Sequence, residues 1–104
     1  YRSLMPLMDQ VRDQMGDRPV YLTFDVDGLD PSVAPGTGTP EIGGLTAPQG
    51  IEIVRGCRGL DLVGADVVEV SPPYDHSELT AQAAACFVWT YLCGRLRIEG
   101  GRAP

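Results

Sequence analysis

The chain has 104 residues, with 14 acidic against 8 basic side chains and a formal net charge of −6. At 43% hydrophobic and 21% charged residues it has the composition of a globular domain rather than of a disordered chain. The acidic balance argues against a nucleic-acid or anionic-membrane partner, which would call for basic patches, and no apolar run approaches the ~20 residues of a membrane span.

In chain order, residues 3–15, "SLMPLMDQVRDQM", place Leu4, Leu7, Met8, Val11 and Met15 at helical spacing, with Gly16 as the stop. Residues 20–26 read as a strand. Residues 28–44 are rich in Gly and Pro and form a long loop, a kind of segment that is usually functional in a compact domain. Thr46 is placed to cap a helix over about 47–58, with Pro48 in its first turn, and Gly59 ends it. A second strand spans 60–70, and the prolines of "SPPYDHS" break it. Ser77 is expected to cap a last helix over about 78–97. That helix is apolar nearly all round from Ala83 to Cys93 and is expected to pack on more than one side. Arg95 and Arg97 suit its C-terminal dipole, and the tail "EGGRAP" reads as frayed.

The order α-β-α-β-α predicts neighbouring strands of a parallel sheet with helices on both faces. Two strands are few for such a sheet, and the chain starts at Tyr1 partway into a helical pattern. A piece of a larger domain is therefore expected. The three cysteines, Cys57, Cys86 and Cys93, lack C-x-x-C spacing and are expected to be buried, reduced thiols in a cytoplasmic protein.

The segment 20–31, "VYLTFDVDGLDP", raises the functional question. Asp25, Asp27 and Asp30 end an apolar strand with no cation among them. On a strand, Asp25 and Asp27 would share a face with side chains ~6–7 Å apart. A divalent cation would relieve their repulsion, and carboxylate oxygens suit hard ions such as magnesium or manganese. Asp30, before Pro31, also fits a turn initiator. Spacing alone leaves three readings open. "FDVDG" resembles the start of haloacid dehalogenase-like phosphatases, although Leu29 stands where that motif wants Thr. Asp-x-Asp-x-x-Asp could open a calcium loop. Carboxylates at a strand end could also belong to a two-metal hydrolytic centre.

The longer context carries a more specific resemblance. "FDVDGLDPSVAPGTGTPEIGGLT" at 24–46 and "VVEVSPPYDHSELTAQAAA" at 67–85 resemble the two signatures of the ureohydrolases, the arginase and agmatinase family. The resemblance implies a three-layer α/β/α parallel-sheet fold, of which this chain is the C-terminal portion of a single domain. It implies a binuclear manganese centre that activates water for attack on a guanidinium carbon, releasing urea. It matches Asp25 and Asp27 to manganese ligands that act catalytically through that water. Glu69 matches the acidic residue that holds the substrate guanidinium, and Thr39 a threonine beside the substrate. Gly36, Gly38, Gly43 and Gly44 are read as loop geometry and His76 as a loop residue. The "TPEIGG" and "SPPYD" runs are most similar to agmatinases and guanidinobutyrases, so agmatine is the expected substrate, with 4-guanidinobutyrate and arginine as alternatives. The resemblance further implies a trimer or hexamer when full length, with no nucleic-acid or membrane partner. The family's histidine ligand and Asp-x-His-x-Asp group have no counterpart here, so the isolated chain is expected to be inactive. The rival expectation is a non-catalytic, truncated module.

Overall fold

The computed structural model describes residues 3–99, with side chains to residue 95. Its elements are α1 (Met5–Met15), β1 (Pro19–Asp25), α2 (Ala47–Gly56), β2 (Asp61–Val68) and α3 (Leu79–Glu99). Short 3-10 turns follow each strand, at Val26–Gly28 and Pro72–Tyr74. The expected element order is thus observed. The tail from residue 100 and the side chain of Arg97 lie outside the described residues.

The two strands pair in parallel, and the helix between them makes the crossover that a parallel pair requires. Register runs from Pro19 opposite Asp61 to Asp25 opposite Val68. It shifts once: Val20 pairs with Leu62, but Tyr21 pairs with Gly64. Val63 is the skipped residue and is 63% exposed. The shift changes the parity of β2, so Leu62 lies beside Val20 while Ala65 and Val67 lie opposite Leu22 and Phe24.

Those side chains and the helices build two adjoining apolar groups. Phe24, Val26, Leu29, Val54 and Phe87 form one, and Met8, Cys57, Leu60 and Leu62 the other. The Phe24 and Phe87 rings meet at 4.5 Å between centroids. All three helices contribute to these groups and therefore share one face of the sheet. On the opposite face Tyr21 and Thr23 are exposed, and the Tyr21 hydroxyl donates to Asp66 Oδ2 at 3.0 Å. The second helical layer of the expected three-layer arrangement does not come from the described residues.

Two glycines let the helices approach closely. A Cβ on Gly56 would lie 2.5 Å from Met8 Cγ, and one on Gly50 would lie 3.0 Å from Phe87 Cζ. Glu52 of α2 accepts from the Leu4 N–H at 2.8 Å and the Ser3 hydroxyl at 3.0 Å, so a neighbouring helix satisfies the start of α1. Thr46 caps α2 as expected, in a reciprocal box with Gln49.

Two expectations fail at α3. Ser77 does not cap it. Ser77 and Glu78 have φ of 51° and 59°, whereas a capping residue needs extended backbone. Asp75 takes the role instead, accepting from the N–H groups of Thr80 at 2.9 Å and Ala81 at 3.1 Å. The helix is also packed on one flank only. Phe87 and Thr80 are buried, but Val88, Trp89 and Leu92 are exposed, Trp89 by 70%. A cleft of about 200 Å³ separates α3 from the edge of the sheet, between Leu22, Ala65 and Val67 on one side and Val88, Tyr91 and Leu92 on the other. Nor are all the thiols buried: Cys57 is, but Cys86, on the outer flank of α3, is exposed, and Cys93 is half-buried.

Candidate active site

The candidate residues lie where both strands end. β1 stops at Asp25, earlier than the alternation implied, because Val26–Gly28 turn as a 3-10 helix. Asp25 and Asp27 are therefore not two residues on one strand face. They are neighbours because the turn folds back. Asp25 Oδ1 accepts from the Asp27 N–H at 3.0 Å, which caps the turn. Val26, fully buried, and Leu29, at 1% exposure, point into the core and anchor the turn beneath the two carboxylates.

Asp25 is half-buried, and its carboxyl is held above the usual carboxylate range. Desolvation is the main cause. The Asp27 N–H opposes it, while the Asp27 carboxyl and the Glu69 charge add to it. Burial is thus the larger cause, and the neighbouring negative charges add to it.

Thr39 reaches back from the loop, and its hydroxyl donates to Asp27 Oδ2 at 2.7 Å. Glu69 arrives from the other strand. Since Asp25 pairs with Val68, the residue after Val68 emerges beside Asp25. Glu69 has a φ of 70°, the left-handed region that is uncommon for a non-glycine residue. That turn takes it out of the strand's alternation, and its side chain is exposed. Asp25, Asp27 and Thr39 thus meet at one edge of the molecule, and Glu69 leaves the neighbouring strand on the same side.

Asp30, the third carboxylate, serves the loop. It accepts from the Ser32 N–H at 3.0 Å, the Ser32 hydroxyl and the Gly43 N–H at 2.9 Å. These bonds, with that of the Ser32 hydroxyl foremost, hold its pKa below the usual value. Its backbone N–H donates to Leu45 O at 2.8 Å, and the Leu45 N–H donates to Gly28 O at 2.9 Å, closing the base of the loop. The turn reading of Asp30 is correct. So is the loop reading of three of the glycines. Gly43 has a φ of 85°, and a Cβ on Gly44 or on Gly36 would lie 2.7 Å from Asp30 N or Asp75 Cβ. Gly38 has open space around it. His76 is an exposed loop residue as expected.

Sequence reasoning missed Asp75 and Thr80. Thr80 is fully buried, and its Oγ1 accepts the Gly36 N–H at 2.7 Å. The Gly36 carbonyl accepts from the Ser71 N–H at 2.7 Å. Thr37, next along, is 3% exposed, and among the described residues its hydroxyl has no hydrogen-bond partner. An acidic residue three to six places before the buried stretch of a helix was the available signal for Asp75.

Asp25 and Asp27 offer hard oxygen donors with an electrostatic penalty that a divalent cation would remove, so they fit as part of a metal's ligand set. Among the described residues no group of three or more His, Cys, Asp or Glu is placed to hold a metal ion. Glu69 accordingly stands apart from the pair, close enough to act on Asp25 by charge but not as a third member of a ligand cluster.

Comparisons with known proteins bear on the family and the fold. The family model described as "Arginase family" matches residues 1–94. A guanidinobutyrase of Pseudomonas aeruginosa is 59% identical over 93 residues, covering 89% of this chain and 29% of that protein. An agmatinase of Escherichia coli O1:K1 / APEC is 61% identical over 84 residues, covering 81% and 28%. The crystal structure of a hypothetical agmatinase from Burkholderia thailandensis superposes with a TM-score of 0.88 at 51% identity, covering 92% of this chain and 30% of that one. The chain thus spans less than a third of the length of these relatives. With the family model matched over nearly its whole length and the fold shared, the chain belongs to the arginase family.

Proposed function

We propose that this chain forms one wall of the active site of a manganese-dependent guanidino hydrolase. In a full-length protein it would cleave a guanidino compound to urea and an amine, with agmatine as the first substrate to test. The observation that carries the reading is the convergence of Asp25, Asp27, Thr39 and Glu69 at the carboxyl ends of adjacent parallel strands, where such sheets bind ligands. The names of the relatives, agmatinase and guanidinobutyrase, support a guanidino substrate and leave its far end open between an amine and a carboxylate.

The chain's own residues would divide the work by charge and position. Glu69 presents an exposed carboxylate just past the end of β2, a natural acceptor for the planar fork of guanidinium donors. Asp25 and Asp27 would hold the metal, with Thr39 fixing one oxygen of Asp27 so that the carboxylate keeps its orientation. When bound, a pair of manganese ions would supply an activated water as nucleophile at neutral pH. Closing base-to-base across the loop, the bonds of Asp30 would keep Thr39 within reach of Asp27. The free thiols fit a reducing compartment, and a cytoplasmic homo-oligomer, trimer or hexamer, is part of the proposal.

The test is urea release from agmatine, 4-guanidinobutyrate and arginine by the full-length protein with manganese. Release from none of them would reject the proposal. Asp27→Ala should lower manganese content and activity together, and unchanged metal content would remove Asp27 from the ligand set.

A further inference from the structure

The segment that carries Thr39 is tied to the exit of β2 and to α3 through one peptide, Gly36. Its N–H donates to Thr80 Oγ1 at 2.7 Å, and its carbonyl accepts from the Ser71 N–H at 2.7 Å. Ser71 follows β2 just after Glu69, and Thr80 lies in the first turns of α3. A Cβ on Gly36 would collide with the Asp75 side chain at 2.7 Å, so only glycine fits this approach. Thr80 is itself anchored: its N–H donates to Asp75 Oδ1 at 2.9 Å, and the next N–H, of Ala81, donates to Oδ2 of the same carboxylate at 3.1 Å. Thr80 therefore holds the Gly36 N–H with its hydroxyl, while its own N–H is held by the Asp75 carboxylate. Three residues beyond Gly36, Thr39 donates to Asp27 at 2.7 Å.

We infer that Thr80, fixed by Asp75, is a positioning residue for the site. It holds the Gly36 peptide so that Thr39 meets Asp27 and the exit of β2 stays level with the exit of β1. The inference rests on the proposed function for the roles of Asp27 and Glu69. Its physical ground is the buried bond. Thr80 is fully buried, so removing its oxygen leaves the Gly36 N–H without a partner in a place water does not reach. The segment 36–39 must then shift to find one, and Thr39 moves with it. A loop merely packed for stability would instead tolerate the loss without any change at Asp27.

The experiment uses the full-length protein and the variants Thr80→Val, Thr80→Ser, Thr39→Val and the double variant Thr80→Val/Thr39→Val. Manganese affinity is measured by titration calorimetry and urea release as kcat and KM. Thr80→Val should weaken manganese binding roughly tenfold, the size of effect seen when an outer partner of a metal ligand is lost. Thr80→Ser, which keeps the hydroxyl, should restore it. On a Thr39→Val background the Thr80→Val change should add little, because both act through one contact. Wild-type affinity in Thr80→Val, or full additivity in the double variant, would overturn the inference. Amide exchange in the wild type gives a reading that does not depend on any variant folding: the Gly36 N–H should exchange as slowly as core amides, and exchange at the rate of an open loop would also overturn it. If the wild type releases urea from no guanidino compound, the functional proposal falls, while the manganese cycle and the Gly36 exchange still decide whether Thr80 positions Thr39.

Discussion

Asp75 gathers the N–H groups of His76, Thr80 and Ala81 on one carboxylate. Burial pushes its pKa up, but the bonds from Thr80, Ala81 and His76 outweigh that, and the net shift is downward. A depressed folded-state pKa contributes stability that is present above the unfolded value, ~4, and is lost as pH falls through the folded value. The Asp75→Asn protein should therefore be less stable than the wild type at neutral pH, and the gap should narrow as the pH falls below ~4. Thermal unfolding across that range checks this, and a gap independent of pH would contradict it. At this scale the sequence was informative where chemistry is local. Asp25 and Asp27 stood out as like charges ending an apolar strand, and Asp30 as a turn residue before Pro31. Asp75 and Thr80 did not, because their role lies in a bond between residues 36 and 80, and no spacing rule reaches that far. The left-handed backbone of Glu69 was equally hidden, since nothing in a glutamate announces a φ of 70°.

Between elements, glycine decides how α1, α2 and α3 cross. In an isolated helix Gly56→Ala would gain about 0.5–1 kcal/mol. Here the added methyl would meet Met8 Cγ at 2.5 Å inside a buried group, and overpacking costs about 1–3 kcal/mol. Gly56→Ala should therefore lower the urea midpoint, and adding Met8→Ala should recover part of the loss that Gly56→Ala causes; a stabilised Gly56→Ala protein would show that Met8 moves aside freely. Thr46→Ala removes one half of a reciprocal cap and should cost ~1 kcal/mol with no change in denaturant slope. The start of α2 was legible because Thr46, Pro48 and Gln49 signal it within four residues. The start of α3 was misjudged because Ser77 has the right side chain on the wrong backbone. The strands' apolar pattern announced burial, but it could not say that all three helices would share a single face.

For the molecule as a whole, that one-sided packing leaves large apolar side chains in solvent, Trp89 and Tyr21 among them, on separate surfaces. Trp89 is the only tryptophan, so its fluorescence reports on α3 alone. When the 104-residue chain is prepared by itself at low concentration, Trp89 should emit as a water-exposed indole and be readily quenched by acrylamide. Strong protection would mean that association covers this flank.

The skipped residue at Val63 bears on how the chain tolerates changes of length. One residue added or removed within β2 would displace Glu69 by about 3.3 Å and turn it to the other face of the sheet. Val63 is one such extra residue, absorbed at the end of the strand farthest from Asp25. The loop between Asp30 and Leu45 is different, because its base is closed by the Asp30 N–H on Leu45 O and the Leu45 N–H on Gly28 O. Insertions and deletions among relatives are therefore expected at 40–42, where the chain is exposed, and not between Gly64 and Glu69 or at 32–34, where the chain bonds Asp30 and Ala34 is fully buried. The offset between Glu69 and Asp25 is thus a count of residues, kept by the sheet.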